Sequence, residues 1–448
     1  MNPMIKIFED WREAQSTVLQ RRDWATEQTP EAVLDRIQCA FGERLNPTQA
    51  VATILADVRQ RGDAALRDWT ARLDGVTVEE LAVPQEQWEA ALCSLDTRLR
   101  EALELAAGRI HAFHSHQRLT SWTTHDLGGT VGQRIAPLRR VGLYVPGGTA
   151  PLPSSLLMSV IPARVAGVPE IVVCTPPDRT SGQVAQAILA AAHLAGVGRL
   201  YCVGGAQAIG ALAYGTESVR RVDKIAGPGG LFVTLAKRQL YGQVGMDGLY
   251  GPTETVIIAD DSANPAWLAA DLLAQAEHDL LATAILLTPC RSLAVAVQQQ
   301  VQQQAAGLPR EDVLRFALAG QGGIVLTPDL ETAVGLADDF APEHLCLSLR
   351  NPQFWADQVH NAGGLFLGEH SSEVLGDYVA GPSHVMPTAG TARFASPLSV
   401  LDFLKITTIV ALNRENAERL CDAAASLATA ESLTAHAAAA RHRRGGAS

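Results

Sequence analysis

The chain has 448 residues, of which 47% are hydrophobic and 19% charged, and its formal net charge is −11. This length exceeds the usual size of one domain, and the apolar content supports packed cores and excludes global disorder. The negative charge, with no basic stripe to offset it, excludes a protein whose main partner is nucleic acid.

The sequence indicates a protein of the reducing cytoplasm that does not enter a membrane. Its seven cysteines are widely spaced without a C-x-x-C pair, which is typical of buried, reduced thiols rather than of a disulfide framework. The first six residues are not followed by the apolar stretch of a secretory signal. The most apolar region, 152–173, is interrupted by three prolines and by Arg164, so it does not predict a membrane span.

In chain order, the sequence predicts helices over residues 1–125 and then an alternation of strands with helices. Short apolar runs that end in proline or glycine turns alternate with Ala-rich helices, a pattern typical of a parallel sheet covered by helices. An Ala-rich helical tail is predicted at 413–440. The predicted strands are 141–145, 170–175, 199–203, 255–259, 283–288, 323–326 and 364–368, and the helices between them include 154–166 and 183–195.

These elements predict two α/β units, with ligands at the carboxyl ends of the parallel strands. Neither unit opens with the G-x-G-x-x-G fingerprint of dinucleotide-binding proteins. Glycine clusters occur instead at 146–148, 204–205 and 227–230. Each cluster allows backbone amides to approach a phosphate, and each is equally compatible with a bare turn.

Pro342-Glu343-His344 sets a carboxylate beside an imidazole. Pro342 cannot continue a preceding helix and biases Ala341 towards extended backbone, so we expect the pair at the start of an element. Reference pKa values of roughly 4.3 and 6.5 suit a carboxylate and a base that titrates near neutrality. The alternative is that Glu343 occupies the first turn of a helix and that His344 is a packed core histidine.

A helix is predicted from Pro265, with Asn264 as its N-cap. Gln275 and His278 are three residues apart and share a face of this helix, so both are able to contact one metal ion. Glutamine is an uncommon metal ligand, however. The alternative is a histidine at the helix C-terminus beside a polar neighbour.

Further polar groups lie in a glycine-rich loop and in the tail. Asp377 and His384 belong to the loop, and loops of this kind often line active sites. The alternative for Asp377 is a surface turn in which its carboxylate bonds the backbone. Glu431 and His436 lie in the helical tail, where a lone histidine is usually a surface residue.

Taken together, these segments resemble the histidinol dehydrogenase family, whose members catalyse the last two oxidations of histidine biosynthesis. The resemblance runs from about residue 30 to 440, and its strongest stretches are 141–166, 203–229, 251–278, 341–345, 361–393 and 431–436. It implies an α/β fold with two incomplete Rossmann-like domains of the aldehyde-dehydrogenase type and helical extensions at both ends. The implied domains are a helical extension over 1–25, a discontinuous α/β domain over 26–143 plus 254–398, a cofactor-side domain over 144–253, and a helical tail over 399–448 that makes the dimer contact.

The resemblance also implies a set of site residues. Glu343 and His344 would be the acid/base pair. One zinc ion per subunit would be held by Gln275, His278, Asp377 and His436. Substrate contacts would come from Thr253, Gln275, His278, His344, Asp377, His384, Glu431 and His436, and contacts with NAD from Tyr144, Gln207 and Gly230.

The implied reaction is the four-electron oxidation of L-histidinol to L-histidine through L-histidinal, with two NAD⁺ used in turn. His344 would remove the alcohol proton, and Glu343 would activate the water that adds to the aldehyde. Members of the family are homodimers in which the tail of one subunit completes the site of the other.

One position departs from the family pattern. The family usually has G-P-G-N where this chain ends the turn with Gly230, so one side-chain hydrogen bond to the dinucleotide is missing. Such a loss costs about 0.5–1.5 kcal/mol if nothing replaces it. The departure leaves open a paralogous zinc- and NAD-dependent dehydrogenase of another small amino or sulfonated alcohol. A non-catalytic binding protein is disfavoured, because all four zinc positions, Glu343 and His344 are present.

Overall fold

The computed structural model describes residues 3–21, 31–147 and 151–444, so Gly148 of the predicted 146–148 turn lies outside the described residues. The chain divides into a first unit, Met1–Gln117 with Arg139–Phe403, and a second unit, Arg118–Leu138 with Leu404–Ser448. The strands are β1 (Ile7–Phe8), β2 (Trp122–Thr124), β3 (Thr130–Pro137), β4 (Arg140–Tyr144), β5 (Glu170–Thr175), β6 (Arg199–Cys202), β7 (Lys224–Ala226), β8 (Gly245–Met246), β9 (Glu254–Ala259), β10 (Thr283–Thr288), β11 (Gly322–Leu326), β12 (His344–Ser348), β13 (Gly364–Leu367) and β14 (Leu404–Ala411).

Helices occupy much of the remaining chain, together with a π-helical turn at Gly376–Ala380. The helices are α1 (Trp11–Gln15), α2 (Glu31–Phe41), α3 (Pro47–Arg61), α4 (Asp63–Asp74), α5 (Gln85–Cys93), α6 (Thr97–Ser115), α7 (Pro153–Val165), α8 (Gln186–Ala195), α9 (Gly205–Tyr214), α10 (Leu231–Leu240), α11 (Pro265–Ala276), α12 (Arg291–Ala305), α13 (Glu311–Gln321), α14 (Leu330–Phe340), α15 (Pro352–Ala356), α16 (Glu373–Leu375), α17 (Arg414–Ala430) and α18 (Thr434–Arg441).

The first unit contains two parallel sheets. The order of one sheet is β1-β11-β10-β9-β12-β13, and that of the other is β6-β5-β4-β7-β8. Numbered within itself, the second of these sheets runs 3-2-1-4-5, which is the strand order of a Rossmann fold without its sixth strand. Strands β9 to β13 repeat this order. The α/β fold class with two incomplete Rossmann-like sheets is therefore confirmed.

The core of the first unit lies on both faces of these sheets. All residues of β9, β10 and β12 are buried, because helices cover a parallel sheet on both sides. Leu272 of α11 packs with Leu286 on one face, and Phe340 of α14 packs with Leu345 on the other. The side chain of Asn264 caps α11 as the sequence predicts.

Helices from the first part of the chain pack on the sheet that contains β4. Helices α3, α5 and α6 contact α9, α8 and α7 respectively. At one of these contacts Gly210 of α9 leaves room for the side chains of Leu55 and Val58. The domain boundaries expected from the sequence, at 26–143, 144–253 and 254–398, stay a prediction.

The helical extension predicted over residues 1–25 is wrong for its first element. Ile7 and Phe8 form strand β1, which pairs in parallel with Ile324 and Val325 at the edge of the sheet. Branched and aromatic side chains favour this extended backbone, and Phe8 is buried against the sheet. Helix α1 follows the strand.

The second unit contains an antiparallel sheet and the two tail helices. The order of the sheet is β14-β3-β2, and α17 packs against α18 through small alanine side chains. The prediction that 399–448 is helical is therefore right for α17 and α18 and wrong for β14. Residues 404–411, LKITTIVA, are rich in the branched side chains that favour strands.

The cysteines are free, and their burial differs from the prediction at three positions, because Cys290 is half-buried and two others are exposed. Cys174, Cys202 and Cys346 are buried, whereas Cys39 and Cys93 are exposed. Over the described ranges, no helix combines the length and the apolar character that crossing a bilayer would need.

Candidate active site

Glu343 and His344 lie where the chain passes from α14 into β12. Ala341 is not extended as the sequence predicts. It adopts a left-handed conformation (φ 51°) and donates its N–H to the carbonyl of Ala337 at 2.9 Å, which satisfies the end of α14. Because β12 begins at His344, the pair occupies the amino end of a parallel strand, opposite to the carboxyl end where we expected ligands.

Glu343 is a buried carboxylate held by two donors. Its Oε2 accepts hydrogen bonds from the Thr253 hydroxyl at 2.6 Å and from the backbone N–H of Glu254 at 3.0 Å. Burial raises the pKa of Glu343 to about 7, and His344 and the two donors oppose that rise. A carboxyl group with this pKa exchanges a proton near neutrality, so it fits the role of a general base.

Both ring nitrogens of His344 face acceptors. Nδ1 lies 3.2 Å from the carbonyl oxygen of Glu254, and Nε2 lies 3.3 Å from Oδ1 of Asp377. Burial opposes the charge, but Glu343 and Asp377 outweigh it and raise the pKa of His344 well above 6.5. The ring packs near Phe366, with centroids 5.6 Å apart. Both ring nitrogens of His344 are therefore held by polar partners, and neither the first turn of a helix nor apolar packing accounts for the pair.

Asp377 links this pair to His384. Burial works against the charge of Asp377, but the contact with His344 outweighs it and lowers the pKa of the carboxyl. The backbone carbonyl of Asp377 accepts a 2.7 Å hydrogen bond from Nδ1 of His384. Nδ1 must therefore carry the proton, so Nε2 accepts from the hydroxyl of Ser155 at 3.0 Å. Burial lowers the pKa of His384, which agrees with a neutral ring.

Gln275 lies beside this site with an unsatisfied amide. The side chain is 1% exposed, and its Nε2 has no hydrogen-bond partner among the described residues. Its Oε1 is 3.5 Å from the Thr253 hydroxyl, whose proton goes to Glu343. Rotating the amide by 180° lets Nε2 donate to Thr253 and leaves the oxygen free, which is the atom that binds a metal.

His278 does not share a helix face with Gln275, because α11 ends at Ala276. The N–H of His278 bonds the carbonyl of Gln275 at 3.3 Å, in a turn that follows the helix. Burial lowers the pKa of His278 and Asp377 partly counters this effect. Throughout the described ranges, no group of three or more His, Cys, Asp or Glu side chains is arranged to hold a metal ion. The imidazole and carboxylate donors nonetheless suit zinc in kind, whereas the amide of Gln275 would be an uncommon ligand.

The residues expected to contact NAD lie at the carboxyl ends of the β4 sheet. Tyr144 is the last residue of β4, and its hydroxyl accepts from the N–H of Gly205 at 3.2 Å. Burial raises the pKa of Tyr144 to about 12. Gln207 is 0% exposed, and neither amide atom has a partner among the described residues. Gly230 is the N-cap of α10, and a Cβ there would meet no described atom within 4 Å. This end of the sheet fits a polar ligand.

Glu431 and His436 belong to the second unit. Glu431 ends α17, and His436 lies in α18, with both side chains exposed. Ser432 between the two helices has a left-handed backbone (φ 62°).

Several residues that contact the site carry no recognisable motif in the sequence. Arg21 forms an ion pair with Glu254, and Ser155 bonds His384 across 229 positions of sequence. Glu373 is 2% exposed and accepts from the hydroxyl of Thr255. Burial raises the pKa of Glu373 to about 7, and His344 opposes this. Short motifs carry no signal for contacts of this kind, because each partner comes from a distant element.

The family model described as histidinol dehydrogenase matches residues 43–444. The chain is 54% identical over 416 residues to histidinol dehydrogenase of Deinococcus radiodurans, covering 92% of this chain and 94% of that protein. It is 52% identical over 408 residues to histidinol dehydrogenase of Thermus thermophilus, covering 90% and 97%. The crystal structure of histidinol dehydrogenase from Elizabethkingia anophelis superposes with a TM-score of 0.89 at 33% identity, covering 99% of this chain and 98% of that one.

Proposed function

The chain belongs to the histidinol dehydrogenase family and is an oxidoreductase of histidine biosynthesis, and on this basis we propose that it oxidises L-histidinol to L-histidine through L-histidinal with two NAD⁺. The reaction needs a group that takes the alcohol proton and a group that activates water for the aldehyde. The observation that carries the proposal is the buried contact of Glu343 with His344 and of His344 with Asp377. We further propose that the enzyme works in the cytoplasm.

His344 is proposed as the base for the alcohol proton. Its Nε2 faces the ionised carboxylate of Asp377, which stabilises the positive charge that the ring gains when it takes a proton. The carbonyl of Glu254 fixes the ring through Nδ1, so that only Nε2 is free to exchange a proton with substrate. His384, held between Ser155 and the carbonyl of Asp377, positions the Asp377 turn.

Glu343 is proposed to activate the water that adds to the aldehyde. Its pKa of about 7 makes the carboxylate basic enough to take a proton from water near neutrality. Thr253 and the N–H of Glu254 orient Oε2, so Oε1 remains to face the substrate. His344, once it has released the alcohol proton to solvent, takes a hydroxyl proton of the hydrated aldehyde as the second hydride leaves to NAD⁺.

Gln275, His278 and Asp377 are proposed to hold one Zn²⁺ per subunit, with His436 as the fourth ligand. The unpaired amide of Gln275 and the ionised carboxylate of Asp377 support this choice. Bound zinc would supply a Lewis acid that orients the amine and imidazole of the substrate.

Tyr144, Gln207 and the turn that ends at Gly230 are proposed to bind NAD⁺, which would accept the hydride in each oxidation. The unsatisfied amide of Gln207 supports a polar ligand at this end of the sheet, because a buried amide without partners is costly. Backbone N–H groups after β7 and at the start of α10 suit the pyrophosphate.

Glu431 and His436 are proposed to complete the substrate and zinc site of a second copy of the chain. Both side chains are exposed on the second unit, and α17 also exposes Leu420 (49%) and Leu427 (67%). Large apolar side chains exposed along one helix are typical of a surface that another chain covers. We therefore propose a homodimer.

The two catalytic roles are separable by experiment. Glu343→Gln should slow histidinal oxidation by about 10²–10⁴-fold, whereas the first NADH from histidinol should form nearly as fast as in the unaltered enzyme. Single-turnover NADH formation from each substrate measures this difference. Equal losses in the two steps would remove the assignment of Glu343 to water activation.

Substrate and metal are tested together. NADH formation should require L-histidinol and should fall when a chelator removes the metal.

Gly230 favours a second candidate, a dehydrogenase of another small amino or sulfonated alcohol, because its missing side chain departs from the family pattern. A panel of such alcohols that gives a higher kcat/KM than histidinol would favour this candidate.

A further inference from the structure

A buried ion pair lies behind the turn that follows β7. Lys237 of α10 and Asp247 are each 1% exposed at the side chain, and Nζ lies 2.7 Å from Oδ1. Burying two charges costs more than their attraction returns unless further hydrogen bonds satisfy both groups. Such bonds are present here. Nζ of Lys237 also donates to the carbonyl of Gly227 at 2.6 Å and lies 5.0 Å from the ring centroid of Tyr250.

Asp247 holds the same glycine from its other side. Oδ2 of Asp247 accepts from the N–H of Gly227 at 2.7 Å, so the ion pair engages both polar backbone groups of this one residue. Gly227 has a φ of 107°, and an added Cβ would collide with the carbonyl oxygen of Tyr144. The start of the turn is therefore fixed by two charges, by its backbone conformation and by contact with β4.

The same network extends to the segment before β9, which contacts Glu343. Oδ2 of Asp247 accepts from the Tyr250 hydroxyl at 3.1 Å, and the carbonyl of Tyr250 accepts from Thr234 of α10 at 2.9 Å. Three residues after Tyr250 the chain reaches Thr253, which holds Glu343. One buried network thus contacts the 227–230 turn, α10 and the segment 250–253, whose last residue bonds Glu343.

We propose that Lys237 and Asp247 are positioning residues for NAD⁺, which hold the 227–230 turn where its backbone N–H groups contact the dinucleotide. The inference rests on the proposed function, in which this turn receives the dinucleotide. It also explains how the turn serves without the asparagine side chain that Gly230 lacks. Contacts from the turn come from its backbone, so their strength depends on where the backbone is held.

Strand β7, which precedes the turn, contains a matched control. Lys224 starts β7, and its Nζ lies 2.9 Å from Oδ1 and 2.8 Å from the carbonyl oxygen of Asp402. Its side chain is 15% exposed, and it occupies the amino end of β7, whereas Gly227 follows the carboxyl end. Removing either lysine breaks an ion pair, but of these two pairs only Lys237–Asp247 contacts the turn.

The test compares Lys237→Met, the double variant Lys237→Met/Asp247→Leu, and Lys224→Met in the full-length, metal-loaded enzyme. We expect Lys237→Met to raise the KM for NAD⁺ and the Kd from NAD⁺ titration at least tenfold, with the KM for histidinol changed less than twofold. Lys224→Met should lower the Tm and leave both constants for NAD⁺ unchanged. The double variant leaves no unpaired buried charge, so its Tm should lie above that of Lys237→Met, while its weak NAD⁺ binding persists.

Unchanged NAD⁺ binding in Lys237→Met, or NAD⁺ affinity that recovers together with the Tm in the double variant, would overturn the positioning role and leave the proposed function intact. If the unaltered enzyme does not bind NAD⁺, the proposed cofactor fails and this inference fails with it.

Discussion

The hydroxyl of Thr253 donates a 2.6 Å hydrogen bond to Oε2 of Glu343, across 90 positions of sequence. The bond joins the residue before β9 to the residue before β12, which are neighbouring strands of one sheet. It favours the ionised carboxylate, whereas burial favours the neutral acid, and the pKa of about 7 is the balance. Thr253, expected from the resemblance to contact substrate, thus also sets the basicity of Glu343.

Replacing Thr253 with valine should therefore make Glu343 harder to ionise. The change keeps the shape of the side chain and removes a hydrogen bond worth about 1 kcal/mol, which corresponds to a rise of roughly 0.7 in the pKa. Because Glu343 is proposed to act as a base, the acidic limb of the pH profile for histidinal oxidation should move to higher pH. The measurement is kcat for histidinal between pH 6 and 10.

Thr253→Ser is the matched control, because it keeps the hydroxyl and should leave the acidic limb in place. A valine variant whose profile coincides with that of the unaltered enzyme would mean that this bond does not set the pKa of Glu343.

Glu373 supplies a prediction about stability and pH. Burial raises its pKa from 4.5 to about 7, so the folded chain holds a proton that the unfolded chain releases. Its stabilising contribution is complete below pH 4.5 and is lost as the pH rises through about 7. Glu373→Gln stays uncharged and still accepts from Thr255. Between pH 5 and pH 8 the free energy of unfolding should shift in favour of the variant by on the order of 2–3 kcal/mol.

Urea unfolding at each pH measures the difference between the variant and the unaltered protein, so contributions common to both cancel. A Glu373→Gln difference that does not change with pH would contradict the burial of an ionisable carboxyl at this position.

Patterns of residues that are close in sequence predicted much of the fold. Asn264 followed by Pro265 caps α11, and apolar runs closed by proline or glycine are strands, because each depends on residues close in sequence. These patterns failed where tertiary contacts override them. Ala341 turns left-handed before a proline, and Ile7–Phe8 is a strand because it pairs with β11.

The candidate site was predictable only through the resemblance. Glu343 and His344 stand out as a motif, but their environment comes from Thr253, Glu254 and Asp377, on separate elements. The spacing of apolar residues along the sequence does not predict such contacts, because they depend on how strands are ordered in a sheet. The position of the proton on His384 likewise depends on Ser155 and the carbonyl of Asp377, and the sequence does not show that these groups contact the ring.

Arg21 should contribute strongly to stability although it lies far from the motifs. It forms an ion pair with the buried Glu254, donates to the carbonyls of Phe340 and Ala341 at 2.9 Å, and stacks 3.6 Å from the centroid of the Phe340 ring. Arg21→Met leaves Glu254 without its cation. We expect a loss of about 2–4 kcal/mol in the free energy of unfolding at pH 8.

The loss should be smaller at pH 5. Burial already raises the pKa of Glu254, and without Arg21 the carboxyl would protonate at still higher pH and so avoid the unpaired charge. Arg21→Lys keeps the charge and should lose less than Arg21→Met. Equal losses for the methionine variant at pH 5 and pH 8 would assign the effect to packing and backbone contacts rather than to the ion pair.

Gly230→Asn should tighten the binding of NAD⁺. Gly230 is the N-cap of α10 with φ −69° and ψ −178°, a backbone conformation open to asparagine, and a Cβ there would meet no described atom within 4 Å. The new side chain restores one hydrogen bond at the turn, worth about 0.5–1.5 kcal/mol, so the KM for NAD⁺ should fall by roughly two- to tenfold. Asparagine also caps α10 better than glycine does, so the Tm should not fall.

Gly230→Ala separates the two effects, because it adds a Cβ without a polar group and is a poor N-cap. Its KM for NAD⁺ should stay at the value of the unaltered enzyme. If asparagine and alanine give the same KM, the side chain at this position does not reach the dinucleotide. The departure from the family pattern would then have no consequence for cofactor binding. The proposal of a dehydrogenase that acts on another alcohol would lose the support that it takes from Gly230.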